Sequence, residues 1–159
     1  MVDGTLTLAP FYAGWVRYQG LLSDSISQLT GEHLARTAAP HLRPAWVLAA
    51  HIIAARAYWF HHVLGEGDPA IAPLRTWDDD GMPQRTAAEL IDGLTQTWAL
   101  IRDGLDRWPP MMLADEFTTP RGAVVTRQWV IWHVIEHDLH HGGELFFTLG
   151  VHGRPTPDL

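Results

Sequence analysis

The sequence predicts an all-α protein, an antiparallel four-helix bundle with a short irregular or hairpin segment before the last helix. Four segments of roughly twenty residues each carry apolar side chains at helical spacing. Proline or a capping box opens the first three segments, and glycine or proline closes them. At 159 residues the chain has the size of one domain, so we expect a single bundle domain over residues 1–159.

The first two helices are each opened by a proline. Pro10 begins the first, which is expected over about residues 10–29 with an apolar stripe at spacings of three, four and seven. Pro44 begins the second, expected over about residues 44–64. Because the second helix is apolar nearly all round, we expect it to be buried on more than one side.

The last two helices follow loops. Residues 65–83 are rich in Gly, Pro and Asp and are predicted to be a loop. The capping box formed by Thr86 and Glu89 then begins the third helix, which the two prolines after Trp108 end. Residues 111–125 look irregular, with a short hairpin predicted about residues 119–122.

The fourth helix is expected over about residues 126–149 and carries four histidines within nine residues. Side chains three and four residues apart share one helical face, so His133, His137 and His141 point the same way, with His140 beside them. Neutral imidazole is the commonest protein ligand for zinc, nickel, copper and iron. The cluster therefore predicts a metal site.

Composition restricts the chemistry of such a site. The chain has no cysteine, so any metal must be held by nitrogen and oxygen, and it has no lysine, which excludes Schiff-base and P-loop lysine mechanisms. A formal charge of −7 disfavours nucleic acid or an anionic membrane as a partner. Residues 45–60 are too short and too interrupted to span a bilayer, and no signal peptide is visible, so we expect a cytoplasmic protein.

The orientation of the fourth helix admits two interpretations. Its apolar side could face the core and leave the histidines in water; the apolar side chains are Ile131, Trp132, Ile135, Leu139 and Phe146. An inward histidine face is favoured because apolar residues also flank it, at Val130, Val134 and Leu145. It is favoured too because His51, on the second helix, shares an apolar stripe that should face the bundle interior.

Spacing limits which histidines can share an ion. His133 and His141 are eight residues apart, roughly 12 Å along the helix axis, which is too far for one metal. The chelating pair is therefore His133 with His137 or His137 with His141, completed by a ligand from elsewhere, and spacing alone leaves both pairs open.

The stretch from Trp132 to Glu144, with His51 on the second helix, resembles the DinB-like family of four-helix metalloproteins. That family's last helix carries a pattern like W-H-x-x-x-H-x-x-H-H-R-G-Q; here His133, His137, His140 and His141 occupy its histidine positions. Its second helix carries W-x-L-x-H, which residues 46–51 match with one extra residue. The family's Arg-Gly-Gln is replaced by Gly142-Gly143-Glu144, so an anion-binding role of that arginine would be absent or supplied by another arginine.

The resemblance implies His51, His137 and His141 as ligands of a zinc or nickel ion, and a homodimer. Three histidines leave a coordination position open, which is typical of catalytic sites. Since the resemblance extends to thiol-dependent transferases, we expect a metal-dependent transferase that uses a small-molecule thiol, with Glu144 and His133 as candidate catalytic residues. Glu144 would orient a ligand or accept a proton, unless it is simply solvated. The alternative is a non-catalytic bundle in which the ion is structural or sensory.

Other motifs give weaker predictions. His133 to His137 reads H-x-x-E-H, an inverzincin protease motif, but only 22 residues follow His137 to supply the further carboxylate ligand. A ferritin-like site is excluded by the lack of inward Glu-x-x-His pairs. Residues 78–81, Asp-Asp-Asp-Gly, hint at a calcium loop, but Ala87 stands where a bidentate Glu is needed, so a solvated turn is predicted.

Overall fold

The structure, a computed structural model, describes residues 6–158 and is predominantly helical. The helices are α1 (Ala13–Ser27), α2 (Gly31–Leu34), α3 (Ala45–Arg56), α4 (Ala87–Arg107) and α5 (Arg127–Val151). Two antiparallel strands, β1 (Glu116–Thr118) and β2 (Val124–Thr126), precede α5. The four long helices and the hairpin lie where the sequence predicted them, so the helical-bundle expectation holds.

The helix ends follow the predicted capping signals, with two differences. Pro10 opens a 3-10 turn, Ala9–Tyr12, before α1 begins. α3 continues without a break into a π-helical segment, Ala57–Val63, so the continuous helix matches the predicted second one. Thr86 accepts a hydrogen bond from the Glu89 backbone N–H, and the Glu89 side chain accepts one from the Thr86 backbone, which is the predicted capping box.

The predicted hairpin also forms. Phe117 pairs with Val125, and the Gly122 N–H donates to the Thr119 carbonyl oxygen at 2.8 Å. Gly122 has φ of +83°, a left-handed conformation that favours glycine. The loop predicted over residues 65–83 is wrong in part, because Pro69–Thr76 forms a 3-10 helix whose first turn is capped by the Asp68 side chain.

α3 lies at the centre of the fold, packed against both α4 and α5, while α1 packs mainly on α4. Its apolar circumference, predicted to be buried on several sides, is buried at Leu48, Ile52 and Ile53. Within residues 6–158, no helix combines the length and the apolarity that crossing a bilayer requires.

A charged cluster lies inside this core. The Arg56 side chain on α3 is completely buried and donates from Nη2 to Asp138 Oδ2 of α5 at 2.7 Å. Trp15 Nε1 donates to the same oxygen at 2.7 Å, and Arg56 Nη1 donates to Gln19 Oε1 at 2.6 Å. These bonds join α1, α3 and α5, and they satisfy two charges that would be costly to bury alone.

Candidate metal centre

Three imidazoles form a compact triangle between α3 and α5. The ring centroids of His51 and His137, and those of His51 and His141, are 4.5 Å apart, and those of His137 and His141 are 4.4 Å apart. One ring nitrogen from each histidine lies within 4.8 Å of the other two. The structure thus brings together the three residues that could hold a metal ion.

Helix geometry explains the triangle. His137 and His141 are one turn apart on α5, so their rings project from the same face. α3 packs against α5 and presents His51 to this face. The inward interpretation of the histidine face is therefore correct for His137 and His141, which are both partly buried.

Two of the three rings are each oriented by a carboxylate of their own. His51 Nδ1 is 2.5 Å from Asp78 Oδ2, and His141 Nδ1 is 2.7 Å from Glu144 Oε2. With a neutral ring, the Nδ1–H donates to the carboxylate, which leaves the Nε2 lone pair free. Carboxylate–histidine pairs of this kind are the usual support of metal-binding histidines.

Asp78 corrects the sequence interpretation. The run at residues 78–81 was expected to be a solvated turn, yet the Asp78 side chain is only 22% exposed and bonds to His51. Burial alone would raise the pKa of Asp78, but the hydrogen bond from His51 and the charges of His51 and Arg43 outweigh it and lower that pKa. No sequence signal marks this contact, because the two residues are 27 positions apart and Asp78 lies in a loop.

His137 is the most confined of the three rings. Its Nδ1 is completely buried, and neither ring nitrogen forms a hydrogen bond with any residue in the range 6–158. Burial, followed by the neighbouring imidazoles, lowers the pKa of His137 to about 3; burial also lowers the pKa of His141, although Glu144 opposes that shift.

These properties fit a divalent metal ion. A buried imidazole without a partner loses hydrogen-bonding free energy unless something binds it. A metal binds only the neutral imidazole, which is the form that the lowered pKa values favour. Around a tetrahedral ion with bonds of ~2.0–2.1 Å, ligand nitrogens lie about 3.4 Å apart, so the triangle needs only modest side-chain movement to close on one.

His133 and His140 lie outside the triangle. The His133 ring stacks on Trp129 at 4.6 Å and contacts Trp59 at 5.0 Å, while its centroid is 6.1 Å from that of His137. His140 is exposed on the surface and, with His141 and Glu144, forms a second group close enough to hold an ion. The candidate catalytic residue Glu144 is thus in contact with the site, and His133 is adjacent to it.

The inverzincin motif does not assemble among the described residues. Its first histidine, His133, is not part of the triangle, and its glutamate, Glu136, is exposed at 3.9 Å from His133 Nδ1. Only His137 belongs both to the H-x-x-E-H motif and to the histidine triangle. The structure therefore favours the pair His137 and His141 over His133 and His137, which spacing had left open.

A cavity of about 640 Å³ opens beside the triangle. It is bordered by His51 and His141 on one side and by the segment between α2 and α3 on the other. Its lining consists of Ala38, His41, Leu42, Arg43, Leu48, His51, His141, Glu144, Phe147 and Thr148. A small molecule in this cavity would lie against two of the three candidate ligands; sequence reasoning did not identify His41 or Arg43 as part of it.

The fold and the triangle define a helical-bundle protein with a candidate three-histidine metal site. The chain belongs to the DinB superfamily, whose family model matches residues 13–145. Its fold is similar to that of a DinB-like protein from Bacillus cereus ATCC 10987, with 20% identity, a TM-score of 0.75 and coverage of 98% of this chain and 99% of the other. It is also similar to a conserved protein from Enterococcus faecalis, with 18% identity, a TM-score of 0.63 and coverage of 94% and 99%. No curated protein matches the chain.

Proposed function

We propose that the protein is a metal-dependent transferase that uses a small-molecule thiol, with zinc or nickel bound by His51, His137 and His141. The observation that carries the proposal is the triangle of three imidazoles, two of which line the wall of a cavity of about 640 Å³. A closed structural site would have a fourth protein ligand in place of the cavity. The open side of the triangle suits exchange of a small molecule.

The composition of the chain is compatible with a thiol that comes from solution. A bound divalent ion would act as a Lewis acid that lowers the pKa of a thiol or polarises an acceptor group. The chain itself has no cysteine, so any sulfur nucleophile must enter from solution. In the reaction, a carbon–sulfur bond forms, the bond from that carbon to its leaving group breaks, and the thiol proton and leaving group depart to solvent.

The surrounding residues have separate roles in this proposal. Asp78 and Glu144 hold the rings of His51 and His141 with Nε2 free. Glu144 also lines the cavity and its side chain is nearly half exposed, so its carboxylate is our candidate acceptor for a proton leaving a bound thiol. His133 remains a candidate that acts from the far side of His137, where it stacks on Trp129.

A non-catalytic bundle is the second candidate. His51 lies on α3 and His137 and His141 on α5, so one ion would cross-link these two helices, and the loop that carries Asp78 is attached to them by its hydrogen bond to His51. Such an ion would stabilise the folded state by its binding free energy.

A transfer assay with matched variants tests the proposal. Zinc-loaded protein is mixed with an alkyl bromide fluorophore and a panel of thiols, in parallel with His51→Ala and with the exposed control His140→Ala. For the wild type and the control, we expect thioether formation with at least one thiol to be faster than in the absence of protein. For His51→Ala, we expect no acceleration. Stoichiometric zinc binding with no acceleration for any thiol, together with a large rise in melting temperature, would instead establish the non-catalytic candidate.

We also propose that the four long helices form an antiparallel bundle and that the protein is a homodimer. Ile131 is buried, but Trp132 and Leu139 of α5 are 59% and 46% exposed. Leu139 and Ile135 line a groove with Phe11, which is itself exposed. A second copy would cover this apolar surface. Sedimentation should give a dimer at micromolar concentration, and Leu139→Glu should give a monomer; a wild-type monomer would contradict the dimer.

A further inference from the structure

The cavity beside the triangle combines one cation with an apolar wall. Arg43 lies in the segment between α2 and α3, and its side chain is exposed at the cavity edge. Within the described part of the chain it forms no ion pair, whereas Arg36, seven residues earlier, pairs with Glu32 at 2.7 Å. Arg43 is therefore free to bind a ligand.

Arg43 is also near the metal centre. It lines the same cavity as His51 and His141, and its charge acts on Asp78, the carboxylate behind His51. His41, two residues before it, adds an imidazole to the same edge of the cavity. A ligand in this cavity can therefore contact two nitrogen-bearing side chains, His41 and Arg43, in addition to the triangle.

The remaining wall is apolar. Leu42 and Phe147 are 46% and 65% exposed, and both face the cavity beside the buried Leu48. Large apolar side chains exposed in a concave site are typical of ligand pockets. They would contact the hydrocarbon part of a small molecule whose polar ends lie at the triangle and at Arg43.

The charges around the cavity indicate which chemical group of a ligand Arg43 would bind. Glu144 and Asp78 contribute two negative charges around the triangle, and a divalent ion would balance both. Arg43 is then the arginine at the cavity edge that no carboxylate pairs with among residues 6–158, so this end of the cavity favours an anionic group. A guanidinium at such a position binds carboxylates and phosphates best.

We infer that the molecule that enters the cavity carries an anionic group, a carboxylate or a phosphate, which Arg43 binds while its reactive end lies at the histidine triangle. This inference rests on the proposed use of the cavity as a substrate site. It makes Arg43 a specificity-determining residue, assisted by His41.

Matched thiols test the inference on cobalt-loaded protein, in which thiolate binding gives a charge-transfer band. The probes are 3-mercaptopropionate and its neutral methyl ester. We expect the wild type to bind the anionic thiol about tenfold more tightly than the ester, the size of one favourable charge-assisted contact at a partly solvated site. Arg43→Gln should remove this preference and leave ester binding unchanged, and Arg43→Lys should retain part of it.

Arg121→Gln is the matched control, because Arg121 lies in the exposed turn between β1 and β2 and does not line the cavity. It should keep the full preference for the anionic thiol, and the preference should shrink as salt is added. Equal binding of acid and ester by the wild type, or a preference that survives Arg43→Gln, would overturn the inference.

A second probe pair separates this inference from the thiol proposal. If neither thiol perturbs the cobalt spectrum, the proposed thiol chemistry fails, and calorimetry with phenylacetate and phenylacetamide decides the role of Arg43. Tighter binding of phenylacetate that is lost in Arg43→Gln supports the anion site. Binding that is equal for the two probes, or unaffected by Arg43→Gln, refutes it.

Discussion

Two polar clusters join α3 to α5, and they differ in how completely their hydrogen bonds are satisfied. In the first, the buried Arg56 and Asp138 bond to each other and to Trp15 and Gln19. The second cluster is the triangle of His51, His137 and His141. Here the carboxylates of Asp78 and Glu144 bond only the Nδ1 atoms of His51 and His141. Asp138 of the first cluster follows His137 of the second directly along α5, and the two side chains project in different directions.

This difference indicates that the Arg56 cluster has a structural role and that the histidine triangle has a binding role. The Arg56 cluster is complete without a ligand, so its charges fix how α1, α3 and α5 pack. Among residues 6–158 the buried His137 Nδ1 has no hydrogen-bond partner, and a cavity lies beside the triangle, so a bound ion or molecule could complete its polar groups. Variants in the first cluster should therefore change folding stability, and variants in the second should change metal binding.

The largest expected effect is that of Asp138→Ala on folding. It leaves the Arg56 guanidinium buried without its carboxylate, and removing one partner of a buried ion pair costs ~3–5 kcal/mol. Urea unfolding of the metal-free protein measures the change. Asp138→Asn keeps an acceptor for Trp15 and should lose less, which preserves the test if the alanine variant does not fold.

The control for this prediction is Glu136→Ala, an exposed carboxylate on the same helix. It should change the free energy of unfolding by no more than about 0.5 kcal/mol. A loss from Asp138→Ala as small as that of the control would show that the buried cluster does not determine packing.

An intermediate effect is expected from Asp78→Asn on metal affinity. The amide cannot accept the His51 proton as a carboxylate does, and loss of such a partner typically lowers metal affinity ~10–100-fold. Competition with a chromophoric chelator measures the affinity. Asp80→Asn, an exposed neighbour in the same run, should leave affinity unchanged. Equal affinities for the two variants would contradict the orienting role of Asp78.

The smallest effect is a pH dependence of the metal-free protein. The pKa of His137 is about 3 in the folded state and near its ordinary value of 6.5 in the unfolded chain. Between these values the unfolded chain binds more protons, so stability rises with pH and is lost as the pH falls from about 6.5 toward 3. Urea midpoints between about pH 5 and 6.5 measure this slope before most carboxylates titrate.

His137→Gln should reduce that slope, because the substituted side chain does not titrate. His140→Gln, at an exposed position beyond the triangle, should leave the slope as it is in the wild type. If the His137→Gln protein instead keeps the wild-type slope, burial of a neutral His137 is not what lowers stability in acid.

The long helices and the hairpin could be predicted because their signals are local. Apolar periodicity, the Thr86–Glu89 capping box and the glycine at position 122 each act within a few residues. The sequence analysis missed Pro69–Thr76 and α2 because elements of four to eight residues carry too little periodicity to detect. Sequence patterns therefore predicted the framework more fully than its connections.

The site was predictable only where it lies on the helices. His137 and His141 share a face by spacing. His51 was indicated by its apolar stripe, and the resemblance implied that it is a ligand, whereas Asp78 and Arg43 come from loops whose path depends on the whole fold. The completely buried Arg56 is a similar case. Its partner Asp138 lies 82 positions away, a separation at which no local pattern indicates contact.

We propose that His51, His137 and His141 bind one metal ion and leave a coordination position open to the cavity. Anomalous diffraction at the zinc edge, from crystals grown with zinc, tests it most directly. We expect one strong peak bonded to these three histidines, with a non-protein atom completing the coordination. A peak on His140 and Glu144 without His51, or a fourth ligand from the protein, would contradict it.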